Sequence, residues 1–225
     1  MACWFNAENI TDTHKIMEVS NTSTPQADFW FMTAAGDVAG DPLRGNIRSG
    51  GGTARAVDTT SGFTANTWHH ACYVATNATN RTVYLDGGGA GNDSNSSVFP
   101  TGTDVTLIGR REYIAGPASY FSGNIAEAAI WNAALSAAEV GVLAAGYSPL
   151  FVRPQSLVAY WPLIRDTDDD IVGGYSMTPV NSPTVAAHPR VLYPIGPYMV
   201  PAAAAIAALR IPRHPAAYYG GPTVF

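Results

Sequence analysis

From Met1 to about Arg111 short apolar runs alternate with clusters of turn-forming residues, and helical periodicity is almost absent. Residues 27–33 are aromatic and strand-like, and Gly50, Gly51 and Gly52 mark a flexible hairpin tip. Residues 67–76 have the length and the β-branched and aromatic content of a central strand. Residues 81–87 alternate cleanly, with Val83 and Leu85 on one face and Thr82 and Tyr84 on the other. Asp86 and Gly87 then supply a tight turn, and residues 104–109 form one more short strand. Strands at this spacing predict a sandwich or barrel.

One helix interrupts the pattern. Ser136 and Glu139 form a capping box, Leu135 and Val140 occupy the flanking staple positions, and Gly146 offers a C-terminal stop. About ten residues of helix suit a lid on the sandwich edge, not a second domain. A further strand follows at residues 157–163, then an acidic loop at 166–170 and a Gly-rich turn. From His188 onward proline recurs at 189, 194, 197, 201, 212, 215 and 222, which removes the backbone donors that a sheet needs. The expected organisation is a sandwich over 1–180 and a Pro/Ala-rich extended arm over 181–225, ordered only where it lies on another surface.

Charge changes this picture in one respect. Charged residues are 13% of the chain, against roughly 25% in ordinary soluble domains, and Lys15 is the one lysine. Such a surface suits burial against other subunits, or a Thr/Ser/Asn-rich exterior that needs no charge. A net charge of −5 with no basic run argues against nucleic acid as a partner. No apolar stretch is long enough for a bilayer, and the first residues lack the features of a signal peptide. Cys3 and Cys72 share no metal-ligand spacing and read as buried free thiols, with one disulfide the alternative.

The stretch from Trp68-His69-His70 through Tyr84, Asp86 and Gly87 resembles the signature of laminin-G-like jelly rolls. Residues 121–139 resemble that family's closing strand and helix. With the aromatic strand around Trp4, the likeness covers residues 1–146. It implies an all-β, two-sheet antiparallel jelly-roll sandwich of the concanavalin A-like type. In that family a strand like 157–163, with its acidic loop, opens the domain; here it comes last. The expectation is a permuted arrangement in which this strand pairs with the strand at 121–131, the alternative being a truncated second module. The order of jelly roll, strand and Pro-rich tail also resembles proteins of bacteriophages and environmental viruses.

Candidate chemistry is sparse. Glucanases on this fold carry acids two apart on one strand. None of Glu8, Glu18, Glu112, Glu127 and Glu139 has such a neighbour. His69 and His70 are adjacent in a strand, so they point to opposite faces and cannot share a metal; one is expected in the core, the other toward solvent or a neighbour. No nucleophile elbow or nucleotide-binding glycine pattern occurs. Asp166, Asp168 and Asp170 are calcium candidates, the competing reading being a solvated turn; no other cofactor is expected. Trp30, Trp131, Trp161, Tyr120 and Tyr147 read as core residues or as platforms for sugars.

These readings lead to a non-enzymatic structural virion protein, a capsid decoration or tail-associated subunit at the virion surface. It would be a homo-oligomer held on other virion subunits through Tyr193, Tyr198, Tyr218, Tyr219 and Phe225. The alternative is a carbohydrate-binding module for cell-surface glycans.

Overall fold

In the computed structural model of the protein, residues 1–111, 113, 119–165 and 169–194 are described. Two antiparallel sheets stack face to face. The six-stranded sheet has the order β11 (Leu157–Trp161), β10 (Gly123–Trp131), β1 (Ala2–Ala7), β6 (His69–Asn77), β7 (Asn80–Leu85), β8 (Gly88–Asp93). The five-stranded sheet has the order β5 (Arg55–Gly62), β4 (Pro42–Arg48), β3 (Phe29–Ala35), β2 (Thr13–Ser20), β9 (Val105–Ile108). Alternate residues of the strands fill the space between them: Phe5, Ile16, Met32, Leu43, Tyr73 and Val83 are all buried there.

The last strand takes the place expected for it. Ala128 pairs with Trp161 and Ile130 with Ala159, so β11 lies along β10. The pairing joins residues distant in sequence across the segment that holds the helix α1 (Ala137–Ala144). Its capping box closes, with Ser136 accepting from the Glu139 N–H and Glu139 accepting from the Ser136 N–H. Gly146, at φ +88°, ends it.

The helix does not sit on the sandwich edge. It covers the outer face of the six-stranded sheet, where Val140, Leu143 and Val152 pack on Cys72, Ala129 and Tyr160 in a second hydrophobic cluster. This explains why β6 is buried on both faces from His69 to Val74. It also bears on the expectation that one of the two histidines lies in the core and the other faces solvent or a neighbour: both are buried within the chain. His69 is hydrogen-bonded to Asp86 at 2.7 Å through Nδ1 and to the Thr64 N–H at 3.0 Å through Nε2. His70 is 2% exposed and meets Trp4 edge-on, with burial pushing its pKa down to about 4 against the pull of Asp86.

Cys3 and Cys72 are free thiols. They lie on adjacent strands but in different clusters, Cys3 between the sheets and Cys72 beneath the helix. Burial pushes the Cys72 thiol up to about 11 and the Cys3 thiol further in the same direction. Neither is poised to react.

The two long sides of the sandwich differ. On one, β5 presses on β8 so tightly that a Cβ at Gly91 would stand 1.7 Å from the Asp58 carbonyl oxygen. On the other, the outer edges of β9 and β11 carry no further strand among the described residues, and a cleft of about 1060 Å³ opens toward the core. Val19, Trp30, Ile108, Ile125 and Leu163, all partly buried, lie along it. Residues 175–188 run along the cleft without regular strand pairing, turning through left-handed angles at Asn181 and Ser182. No described helix is long and apolar enough to cross a membrane.

Candidate functional site

The sequence-level candidates are dispersed. Trp131 and Trp161 are core residues whose indole N–H groups donate to the Val152 and Tyr175 carbonyls. Trp30 is partly buried, whereas Tyr120 and Tyr147 are exposed. Asp166 and Asp168 lie outside the described residues. Asp170 does another job: it is buried, and its carboxylate accepts backbone N–H bonds from Tyr160 at 2.7 Å, Val172 at 2.9 Å and Gly173 at 2.8 Å. With a fourth, longer bond from the Tyr175 N–H at 3.4 Å, the carboxylate pins the turn after β11, and a cation would have to displace these amides.

Tyr193 is likewise not a free anchor. Its hydroxyl donates to Glu127 Oε1 at 2.5 Å, and Tyr160 donates to Glu127 Oε2 at 2.5 Å. The physical reason is burial. Glu127 is 2% exposed, sits at φ +56° beside a register shift between β1 and β10, and needs donors for its carboxylate. Leu192 bridges to Tyr147, so the chain as far as residue 193 folds back on the body. Tyr198, Tyr218, Tyr219 and Phe225 lie outside the described residues.

His188 completes this clasp, with Nε2 3.2 Å from Glu127 Oε1. The Glu127 carboxylate raises the imidazole pKa above its usual 6.5, outweighing burial. A folded-state value above the unfolded one means stability fully present below about pH 6.5 and lost as pH rises through the folded value. The stability advantage of wild type over His188→Gln should therefore shrink between pH 5.5 and pH 9, by less than about 1 kcal/mol because solvent screens the ring. Urea denaturation of both proteins at the two pH values measures it.

A polar cluster absent from the sequence-level candidates lies on the outer face of the five-stranded sheet. A β-bulge creates it. The register of β2 on β3 shifts between Lys15 and Met17, so Ile16 and Met17 both enter the core. Lys15 and Glu18, three residues apart, consequently share the opposite face, which a regular strand would forbid. Thr33 pairs with both Lys15 and Arg44, and Arg44 in turn pairs with Asp58. Arg44 donates to Asp58 in a bidentate fork, Nε to Oδ1 at 2.6 Å and Nη2 to Oδ2 at 2.7 Å, with about a third of each side chain exposed.

Beside the fork, Arg111 spreads over aromatic rings. Its guanidinium carbon is 4.5 Å from the centroids of Phe29 and Phe31 and 5.0 Å from that of Tyr113. Its Nε lies 3.8 Å from Glu18 Oε2. Lys15 extends over Phe31, Nζ 4.9 Å from the ring centroid, and donates to the Thr33 hydroxyl at 3.4 Å. Burial, then the repulsion of Arg111, pushes the Lys15 pKa down to about 8, with Glu18 and Asp37 acting in opposition.

Two antiparallel sheets stacked face to face, with β11 completing the six-stranded one, define a jelly-roll sandwich. The chain belongs to the concanavalin A-like lectin/glucanase superfamily, whose family profile matches residues 1–141. No curated protein sequence matches it. Among solved structures it resembles a protein from Bacteroides ovatus assigned as carbohydrate binding, at 19% identity and a TM-score of 0.54. That match covers 77% of this chain and 49% of the other, so the chain spans about half the length of that relative. It also resembles the CBM40 domain of the Ruminococcus gnavus IT-sialidase, at 12% identity and a TM-score of 0.51, covering 64% of this chain and 80% of that domain. The same domain is known bound to α2,3-sialyllactose. At these identities the likeness is one of fold.

Proposed function

We propose that the chain is a non-catalytic carbohydrate-binding domain that takes its ligand on the outer face of the five-stranded sheet. The observation that carries this reading is the partly exposed Arg44–Asp58 fork set beside Lys15, Thr33 and the Arg111-covered rings. Sugar hydroxyls are read by planar side chains that donate and accept in fixed directions, and this pair offers both at once. The carbohydrate-binding descriptions of the two similar structures support the class. Retaining or inverting hydrolysis needs two carboxyl groups free to act across one bond. On this face Asp58 is committed to Arg44, and Glu18 lies beneath Arg111. The virion-subunit reading leans on the arm at 181–225; Leu192 and Tyr193 of that arm bond to the body, residues past 194 lie outside the described residues, and no observation favours that reading over glycan binding.

The test is a glycan array with wild type and Arg44→Ala, each checked for folding by circular dichroism. Wild type should bind at least one glycan, and Arg44→Ala should lose about ten-fold or more in affinity, as for a charge-assisted hydrogen bond. Binding that survives Arg44→Ala but is lost with Tyr120→Ala and Tyr175→Ala would move the site to the cleft. Absence of binding to every glycan would end the proposal.

A further inference from the structure

We infer that this face selects sugars carrying a carboxylate, and that Lys15 is the residue that reads the charge. The inference rests on the glycan-binding reading of the same face and adds the class of sugar to it.

The argument compares how each charge on the face is satisfied. Arg44 spends two donors on Asp58. Arg111 lies across Phe29, Phe31 and Tyr113 with Glu18 beside it. Lys15 has three ammonium donors, and among the described residues its one hydrogen bond is the long one to the Thr33 hydroxyl, at 3.4 Å. The carboxylates acting on it from a distance are engaged elsewhere: Glu18 lies against Arg111, and Asp37 accepts from the Thr13 hydroxyl. A partly desolvated ammonium with donors to spare is best complemented by an anionic oxygen, which a neutral hydroxyl replaces poorly. The depressed pKa of Lys15 is the expected sign of such under-compensation.

The backbone supports the same conclusion. Without the bulge at Ile16, Lys15 and Glu18 would stand on opposite faces of β2. Bulges re-aim side chains beside functional sites at the expense of regular pairing. Here the re-aimed residue is the chain's one lysine, brought within reach of the Arg44–Asp58 fork through their shared neighbour Thr33. The competing account is that Lys15 rests on the Phe31 ring as a purely structural cation–π contact. That account predicts no preference for anionic ligands.

Two acid–ester pairs separate the accounts by calorimetric titration of the full chain: trigalacturonic acid against its methyl ester, and N-acetylneuraminic acid against its methyl ester. At least one acid should bind about ten- to a hundred-fold more tightly than its ester, the range for a hydrogen bond to a charged group. Lys15→Met should bring the ratio of acid to ester affinity to about one, whatever it does to ester binding itself, and Lys15→Arg should retain the ratio. As pH rises through about 8 the wild-type preference should fade while that of Lys15→Arg persists. The other titratable groups facing Lys15 (Glu18, Asp37, Arg44, Asp58, Arg111 and Tyr113) are common to both proteins, so this comparison isolates the lysine and does not depend on Lys15→Met folding. With a single lysine, protein labelled with nitrogen-15 in lysine alone gives one side-chain ammonium resonance, which should shift with the acid and not with the ester.

Equal affinity for acid and ester, or a preference that survives Lys15→Met, overturns the inference and leaves glycan binding standing. Failure of every sugar, charged and neutral, removes both.

Discussion

Asp93→Ala is expected to destabilise the protein by about 3–5 kcal/mol, the cost of stripping one partner from a buried ion pair. Arg81 is 1% exposed and lies inside the sandwich, in register with Val83 and Leu85. Its guanidinium donates to the Asp93 carboxylate, to the Asn95 carbonyl and, at 2.7 Å, to the Ala78 carbonyl. Asp93 is held in turn by the Asn95 N–H at 3.0 Å and the Asn95 side-chain amide at 2.6 Å. Burial works to raise the Asp93 pKa, but Arg81 and Asn95 together hold it below the usual carboxylate range. Removing the carboxylate strands a cation in a low-dielectric space, with two carbonyls unable to neutralise it. The double change Arg81→Met with Asp93→Leu should recover most of the loss, because an apolar pair of similar volume has no charge to desolvate. Urea denaturation of the three proteins measures both effects. A loss under about 1 kcal/mol for Asp93→Ala would mean that water reaches the guanidinium.

The second large effect belongs to the closed side of the sandwich. Gly91→Ala should cost at least about 3 kcal/mol, the upper part of the range for overpacking. The added Cβ would stand 1.7 Å from the Asp58 carbonyl oxygen and 2.6 Å from its carbon. Both obstacles are backbone atoms of β5, so no rotamer change relieves the clash and the strands must separate. Asp58 also carries the fork to Arg44, so separation should weaken sugar binding along with stability. Gly88→Ala is the control, since a Cβ there meets nothing within 4 Å. Thermal unfolding of the two variants should place Gly88→Ala near wild type and Gly91→Ala far below it. Similar midpoints would show that β5 and β8 have room to move apart.

Sequence reasoning reached the elements whose signals are local. The capping box at Ser136 and Glu139, the alternation in β7 and the pairing of β11 with β10 follow from short-range patterning and from the family likeness. The candidate site escaped because a bulge defeats the period-two rule. Reading β2 as a regular strand sends Lys15 and Glu18 to opposite faces. The only trace in the sequence is the adjacent apolar pair Ile16 and Met17, with Lys15 before it and Glu18 after. Arg81 was within reach of the same rule that placed Val83 and Leu85, since alternation puts all three on one face. Glu127 gave a comparable sign, a lone acid within an otherwise apolar strand, but its partners Tyr160, His188 and Tyr193 come from distant parts of the chain. One histidine of β6 is core-facing and hydrogen-bonded as expected, but the other, His70, is buried as well, because the outer face of its strand lies beneath a second cluster that only tertiary packing reveals.

The unequal margins give the molecule the build of a bound book, with its spine along β5 and β8 and its fore-edge between β9 and β11. At the spine Gly91 lies so close to the Asp58 backbone that not even a Cβ fits between the covers, whereas the fore-edge holds an open cleft. Residues 175–188 lie across that fore-edge without a ladder of their own, so the covers can part there without breaking a strand pairing. The Arg44–Asp58 fork is anchored on β4 and β5, next to the spine and away from that margin.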